Sequence, residues 1–174
     1  MGPALWRHRA WIACTLDWQG RRRAVMTGRR WTELFFLDEA TALAAGHRPC
    51  AYCRRADWLR WSEAWAAAHG PARAPAMDAA LHAARAVPGA RRLRRDRAEA
   101  KGLPDGTMID GPDGPALLSR EAAHPWRPGG YGPAGPRPTG PVDVLTNPVT
   151  RAVLAAGYRP HLHPSAGTSA NRSR

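Results

Sequence analysis

The alternation of apolar and polar residues predicts two strands near the start of the chain. In residues 11–23, WIACTLDWQGRRR, one face collects four side chains: Ile12, Cys14, Leu16 and Trp18. Gly20 then begins a turn. A second apolar run, WTELFFL at residues 31–37, predicts another strand. On this pattern Cys14 points toward the interior of the protein.

Helical spacing and end signals predict the next elements. Asp38 has the character of an N-cap for a short helix, and Gly46 ends that helix. Pro49 suits the first turn of the following helix. That helix brings three tryptophans to one face, which we assign to the core: Trp58, Trp61 and Trp65.

The second half of the chain predicts one more helix, a hairpin and a terminal helix. A short helix is expected around residues 77–85, and the turn dipeptides Asp105–Gly106 and Asp113–Gly114 indicate a hairpin. Ten of the fifteen residues at 127–141 are Gly or Pro, which predicts a loop. VDVLT at 142–146 predicts a late strand. Asn147 and Pro148 then begin a helix that ends at Gly157.

These elements define the expected fold. It is a single α+β domain over residues 1–166, with short helices packed on antiparallel strands around a zinc site. Residues 167–174 are expected to form a disordered tail. The chain has 174 residues, 44% of them hydrophobic, which is typical of a globular protein. No apolar run approaches the roughly 20 residues of a membrane span, so we expect a cytoplasmic protein with no membrane partner.

The net charge of +12 comes almost entirely from arginine, since Lys101 is the only lysine. Such a charge favours polyanionic partners, and DNA or RNA is the first candidate. A solvated surface with no such partner is the plainer alternative. The predicted nucleic-acid contacts lie near the cysteine pair and in a basic run further along the chain: Arg48, Arg54, Arg55, Arg91, Arg92, Arg94 and Arg95.

A repeated turn carries the candidate metal ligands. LAAGHRPCAYC at residues 43–53 returns as LAAGYRPHLH at 154–163, with histidines in place of cysteines. Cys50 and Cys53 are predicted on the first turn of a helix, whose positive end favours thiolate, the metal-binding form. The predicted zinc ligands are therefore Cys50, Cys53, His163 and Cys14. For Cys14, zinc ligation and plain burial are left as equal alternatives. His47 remains an alternative ligand.

The stretch FFLDEATALAAGHRPCAYCRR at residues 35–55 resembles half of the zinc-binding module of Ada-type DNA-repair methyltransferases. That module has a short helix, an AAG turn, an aromatic residue and then RPCxxC, and the resemblance implies that Cys50 and Cys53 bind zinc. The family's other two ligands form an earlier cysteine pair, where this chain offers only Cys14. The sequence is also similar to a family of small bacterial proteins with LFFLDEATALAAGHRPC and a terminal HPSA, which implies no activity.

We therefore expect a zinc-binding protein that engages nucleic acid in DNA repair or processing. The alternative is a zinc-dependent enzyme that modifies or hydrolyses nucleic acid with Asp78 and His82, four residues apart on a helix face. A deaminase reading of PCxxC is weak because His82 lies after the motif and lacks the accompanying glutamate. A metal-stabilised protein-interaction module with no nucleic-acid partner is the third hypothesis.

Overall fold

Four helices and eleven short strands follow one another along the described residues of the computed structural model, which are 6, 8–22, 33–90 and 92–167. The helices are α1 Glu39–Ala44, α2 Arg55–His69, α3 Ala74–Arg85 and α4 Pro148–Ala155. The strands before α2 are β1 Ile12–Ala13, β2 Asp17–Trp18, β3 Arg21–Arg22 and β4 Arg48–Pro49. The later strands are β5 Asp96–Glu99, β6 Met108–Gly111, β7 Gly114–Ser119, β8 Ala122–Arg127, β9 Gly130–Tyr131, β10 Gly135–Pro136 and β11 Pro141–Val144.

One antiparallel sheet contains the seven later strands. Its order is β10-β8-β7-β6-β11-β5, and β9 also pairs with β8. The predicted hairpin forms between β6 and β7, with Gly111 opposite Gly114. β11 lies between β5 and β6, so the late strand joins β5 to the edge of the β6-β7-β8 meander. The prediction of a mixed α+β domain is confirmed.

Side-chain caps set the beginnings of α1 and α4 as the sequence predicts. Asp38 accepts a hydrogen bond from the backbone N–H of Thr41, and the Thr41 hydroxyl accepts one from the Asp38 N–H, which completes a capping box. Asn147 accepts from the N–H of Thr150 in the same way. These bonds satisfy donors that a helix start would otherwise leave unpaired.

The tryptophan face of α2 forms the helical core. Trp61 and Trp65 are buried, and Trp58 packs at the edge of the same cluster. α2 and α3 both pack against α4. The buried members of this cluster are Leu43, Trp61, Ala64, Trp65, Met77, Leu81, Val153, Leu154 and Tyr158. Periodicity alone therefore identified this part of the core correctly.

The sheet buries residues on both faces, because side chains alternate along each strand. Met108 and Leu117 share one cluster with Ala40 of α1. The neighbouring residues Ile109 and Leu118 belong to a second cluster on the opposite face. Through the first cluster, the sheet holds α1 and the segment that leads to the cysteines.

The N-terminal half differs from the sequence prediction in two elements. Residues 33–36 form no strand, and Leu34 and Phe35 are exposed; residues 31 and 32 lie outside the described part. Pro49 lies in β4 rather than in the first turn of α2, because β4 pairs in parallel with β1. The backbone N–H of Cys50 donates to the Ala13 carbonyl, and this pairing holds the chain extended.

Two further predictions concern the ends of the chain and its loop. The Gly/Pro-rich segment contains the short strands β9 and β10, so it is part of the sheet edge. Most of the predicted tail, 168–174, lies outside the described residues, and residue 167 closes a 3₁₀ turn, Pro164–Gly167. Within the described part of the chain, no helix has the length and apolar character needed to cross a bilayer.

Candidate metal centre

Parallel pairing of β1 with β4 places Cys14 beside Cys50. Ile12 pairs with Arg48 and Ala13 with Pro49, so the next residue on each strand is a cysteine. Parallel strands bring corresponding ends to the same edge, whereas antiparallel pairing would bring opposite ends together. This register joins residues 36 positions apart in the sequence. The expectation that Cys14 points into the interior is wrong, because Cys14 is exposed at this edge.

Cys53 completes the cluster from the turn that follows β4. The three sulfur atoms lie within 4.8 Å of one another, and all three cysteines are free thiols. Backbone N–H groups point at two of them: that of Thr15 donates to Cys53 Sγ and that of Tyr52 to Cys50 Sγ, each at 3.4 Å. Such bonds stabilise a sulfur that carries negative charge. The three cysteines can hold a metal ion.

Cys14 and Cys50 differ in how readily they ionise. Although the residue as a whole is exposed, partial desolvation of the Cys14 thiol, followed by the charges of Cys50 and Cys53, raises its pKa to about 12. Burial also opposes ionisation of Cys50, but N–H donors from Cys53 and Tyr52 outweigh it and lower its pKa. The raised pKa of Cys14 opposes formation of its thiolate. A bound cation would stabilise that thiolate and so add stability to the cluster.

No fourth side chain joins the thiols at this distance among the residues that the structure describes. The undescribed stretches contain no cysteine, histidine, aspartate or glutamate, as the sequence itself shows. The chain therefore presents three sulfur ligands at one edge of a strand pair. A tetrahedral ion bound by them has one position available for a further ligand.

His163 does not lie with the cysteines, so the structure does not support it as a zinc ligand. Its Nδ1 is 2.8 Å from the Ser165 hydroxyl, and its backbone N–H donates to Asp38 Oδ2 at 3.1 Å. Its ring also approaches Gly130 at the start of β9. The second LAAG turn directs the chain to the N-terminus of α1, and the two turns do not face each other across a metal.

The other two histidines considered from the sequence also have partners of their own. His47 packs against the rings of Trp11 and Phe36, with centroids 5.4 and 4.7 Å away. Burial and the charge of Arg85 lower its pKa to about 4. His161 Nε2 lies 3.0 Å from Asp57. Neither residue belongs to the thiol cluster, so aromatic packing and polar contacts account for their positions.

Asp78 and His82, predicted as a catalytic pair, each contact other residues of the structure. Asp78 is buried, and both its carboxylate oxygens accept from Arg48, at 2.7 and 2.9 Å. His82 lies edge-on to the Trp6 ring, 5.7 Å away, and burial together with nearby arginines lowers its pKa. Because Arg48 holds this buried carboxylate in a bidentate ion pair, a structural role accounts for the position of Asp78.

The predicted nucleic-acid arginines fall into two groups. Arg48 is buried against Asp78, and Arg54 forms ion pairs with Glu39 and Asp57, so the structure does not leave these two free for phosphate. The exposed group comprises Arg55, Arg92, Arg94 and Arg95. Arg95 contacts Asp110 at 3.3 Å with its side chain still 75% exposed. Arg91 lies outside the described residues.

Two features at the candidate site were not found from the sequence. The ring of Tyr52, between the cysteines of the CxxC pair, contacts Trp18 with centroids 4.6 Å apart. Glu39 accepts from the Tyr158 hydroxyl and the His161 N–H, at 2.7 and 2.9 Å. The only sequence signal for the first feature was the position of Tyr52 inside CxxC. The second had none, because 119 residues separate Glu39 from Tyr158.

The chain matches no protein-family model, no curated protein and no solved structure. The resemblance to the Ada-type zinc module is supported in one respect: three cysteines form a cluster that could hold a metal ion.

Proposed function

We propose that Cys14, Cys50 and Cys53 bind one zinc ion and that the protein engages nucleic acid in DNA repair or processing. The observation that carries this proposal is the convergence of three free thiols within 4.8 Å. Zn–S bonds of about 2.3 Å place the sulfurs of a tetrahedral site about 3.8 Å apart, which the cluster can reach with small adjustments. Thiolate ligands favour zinc and other soft metals over magnesium or calcium.

Metal content tests the first part of the proposal. The purified protein should contain about one zinc per chain by elemental analysis. Cys14→Ser, Cys50→Ser and Cys53→Ser should each lose most of the metal and lower the midpoint of thermal unfolding. His163→Ala and His47→Ala are matched controls that should keep the metal. Full occupancy in the Cys50→Ser/Cys53→Ser variant would contradict the assignment.

The charge of the chain supports the nucleic-acid part. The net charge is +12, and exposed arginines lie at the start of α2 and in the segment between α3 and β5. Arginine suits phosphate because its planar fork donates two hydrogen bonds at once. Binding by such side chains releases counterions and weakens steeply with salt.

Salt dependence tests the second part. The logarithm of the binding constant should fall with the logarithm of salt concentration by about 0.9 per phosphate contacted on duplex DNA. Arg92→Ala/Arg95→Ala should make this slope shallower and leave the zinc in place. Arg159→Ala is a control, because its side chain donates to the carbonyls of Leu154 and Tyr158. A slope near zero for duplex DNA, single-stranded DNA and RNA would overturn the assignment of nucleic acid as the partner.

A second candidate is a zinc-dependent enzyme, favoured by one observation. The described residues supply three sulfur ligands and no fourth side chain, so a bound ion has one exchangeable position. This candidate does not rest on Asp78, whose two carboxylate oxygens both accept from Arg48. Substitution of cobalt for zinc tests whether this position is open. Small anions that bind to the cobalt at that position change the visible spectrum of the protein. A spectrum insensitive to added anions favours a purely structural metal.

A further inference from the structure

An aromatic pair, with Tyr52 exposed and Trp18 half-buried, lies in the segments that carry the three thiols. Tyr52 lies between Cys50 and Cys53 in the sequence, and Trp18 lies four residues after Cys14, in β2. Their ring centroids are 4.6 Å apart with a tilt of 41°. Both aromatic residues therefore belong to the same two segments that supply the candidate metal ligands.

Tyr52 remains 71% exposed although it packs on Trp18. Cysteines of the cluster lie on either side of it in the sequence, and the N–H of Tyr52 itself donates to Cys50 Sγ. Leu16, in the segment that joins Cys14 to β2, is 56% exposed. The result is an aromatic surface beside the metal centre, with one ring supported from behind and its remaining surface open to solvent.

Charge indicates what covers this surface. The chain carries a net charge of +12, and the exposed Arg55 follows Tyr52 by three residues. A protein with this excess of arginine meets polyanions first. Exposed aromatic rings with nearby arginines are the usual combination for single-stranded nucleic acid, where bases stack on the rings and arginines contact phosphate. Bases in a duplex are already stacked on each other and cannot use such a ring.

We infer that the Trp18–Tyr52 pair stacks an unpaired base of single-stranded DNA or RNA and holds it beside the metal centre. This rests on the nucleic-acid function proposed above and specifies the form of the partner. No bond is made or broken. The structure contributes the packed ring pair, and Arg55, three residues further along the chain, contributes charge.

Fluorescence anisotropy with a labelled single-stranded oligonucleotide, and with the same strand in a duplex, tests this inference. Tyr52→Leu keeps an apolar contact with Trp18 but removes the ring, and should weaken single-strand binding roughly tenfold or more. Tyr52→Phe keeps the ring and should bind like the unchanged protein. Duplex binding should be the same in all three proteins, and each should keep about one zinc per chain.

Three outcomes overturn the inference in different ways. If Tyr52→Leu binds single strands unchanged while the salt slope persists, nucleic acid binds through arginines alone and the ring is not a platform. If no oligonucleotide binds, the proposed function fails as well. If Tyr52→Leu instead converts a dimer to a monomer in sedimentation, the pair is an interface between copies of the chain.

Discussion

The two LAAG turns, at residues 43–49 and 154–160, share six of seven residues but have different surroundings. Each follows a helix and passes through a glycine of positive φ, +85° at Gly46 and +107° at Gly157. After the first, the chain pairs with β1 and presents Cys50 beside Cys14. After the second, it crosses the N-terminus of α1 and donates to Glu39. The similar sequence at the end of each helix therefore produces the same local bend. The neighbouring segment that each turn contacts determines what the turn does.

The arginines at the equivalent positions should differ most. Arg48→Ala leaves the buried Asp78 without its partner and should lower the free energy of unfolding by about 3–5 kcal/mol. Arg159→Ala removes an exposed side chain and should cost less than about 1 kcal/mol. Urea unfolding measures both. The double variant Arg48→Met/Asp78→Leu should recover much of the loss, and equal losses at positions 48 and 159 would contradict the comparison.

The residue after each glycine should differ in its pH response. His47 has a pKa of about 4 in the folded protein, below its usual 6.5, so the unfolded chain binds the proton more readily. The contribution of His47 to the free energy of unfolding is complete above pH 6.5. It is lost as the pH falls toward 4, by about 3 kcal/mol in total. Urea unfolding across this range should show a shallower acid loss in His47→Phe.

The rings of Trp11 and Phe36 leave His47→Phe an aromatic environment, so the variant should fold. Tyr158, the equivalent residue in the second turn, has its pKa raised by burial and by Glu39, and it does not titrate in this range. Tyr158→Phe should therefore keep the acid slope of the unchanged protein. An identical slope in His47→Phe would show that other groups produce it.

The glycines themselves should differ by a smaller amount. A methyl group at Gly46 would lie 2.4 Å from Cδ of Arg85, whose guanidinium is held by the carbonyls of Gly46 and Arg9. At Gly157 nothing lies within 4 Å. Gly46→Ala should cost about 2–3 kcal/mol, against about 1 kcal/mol of backbone strain in Gly157→Ala. Thermal unfolding with matched zinc content measures the difference, and equal costs would mean that Arg85 moves aside freely.

The smallest expected effect concerns the hydroxyl of Tyr158. It donates to Glu39 Oε1 at 2.7 Å, while Arg54 pairs with the same carboxylate. Tyr158→Phe should cost about 1 kcal/mol, because the remaining partners keep Glu39 satisfied. Tyr52→Phe is the matched control, since that side chain is 71% exposed and should show no change. Denaturant unfolding distinguishes the two, and equal effects would contradict the role of Glu39.

Some of the candidate site could be predicted from sequence. The CxxC spacing, with Cys14 as a further ligand, indicated the three thiols that the structure brings together. His163 was a wrong ligand because similarity of the two turns implied that they meet, and no local signal gives the position of one turn relative to the other. Asp78 and Arg48 were assigned to functions because spacing does not show that residues 30 apart form a buried ion pair.

The sequence by itself determined the elements whose information is local. The side chains of Asp38 and Asn147 begin their helices by accepting hydrogen bonds from backbone N–H groups three residues later. The tryptophans of α2 follow the helical period. The tertiary structure alone decided the parallel pairing of β1 with β4, which joins Cys14 to Cys50 across 36 residues and exposes it at a strand edge. Two-residue strands contain too little pattern to specify a partner, so packing and long-range hydrogen bonds must choose it.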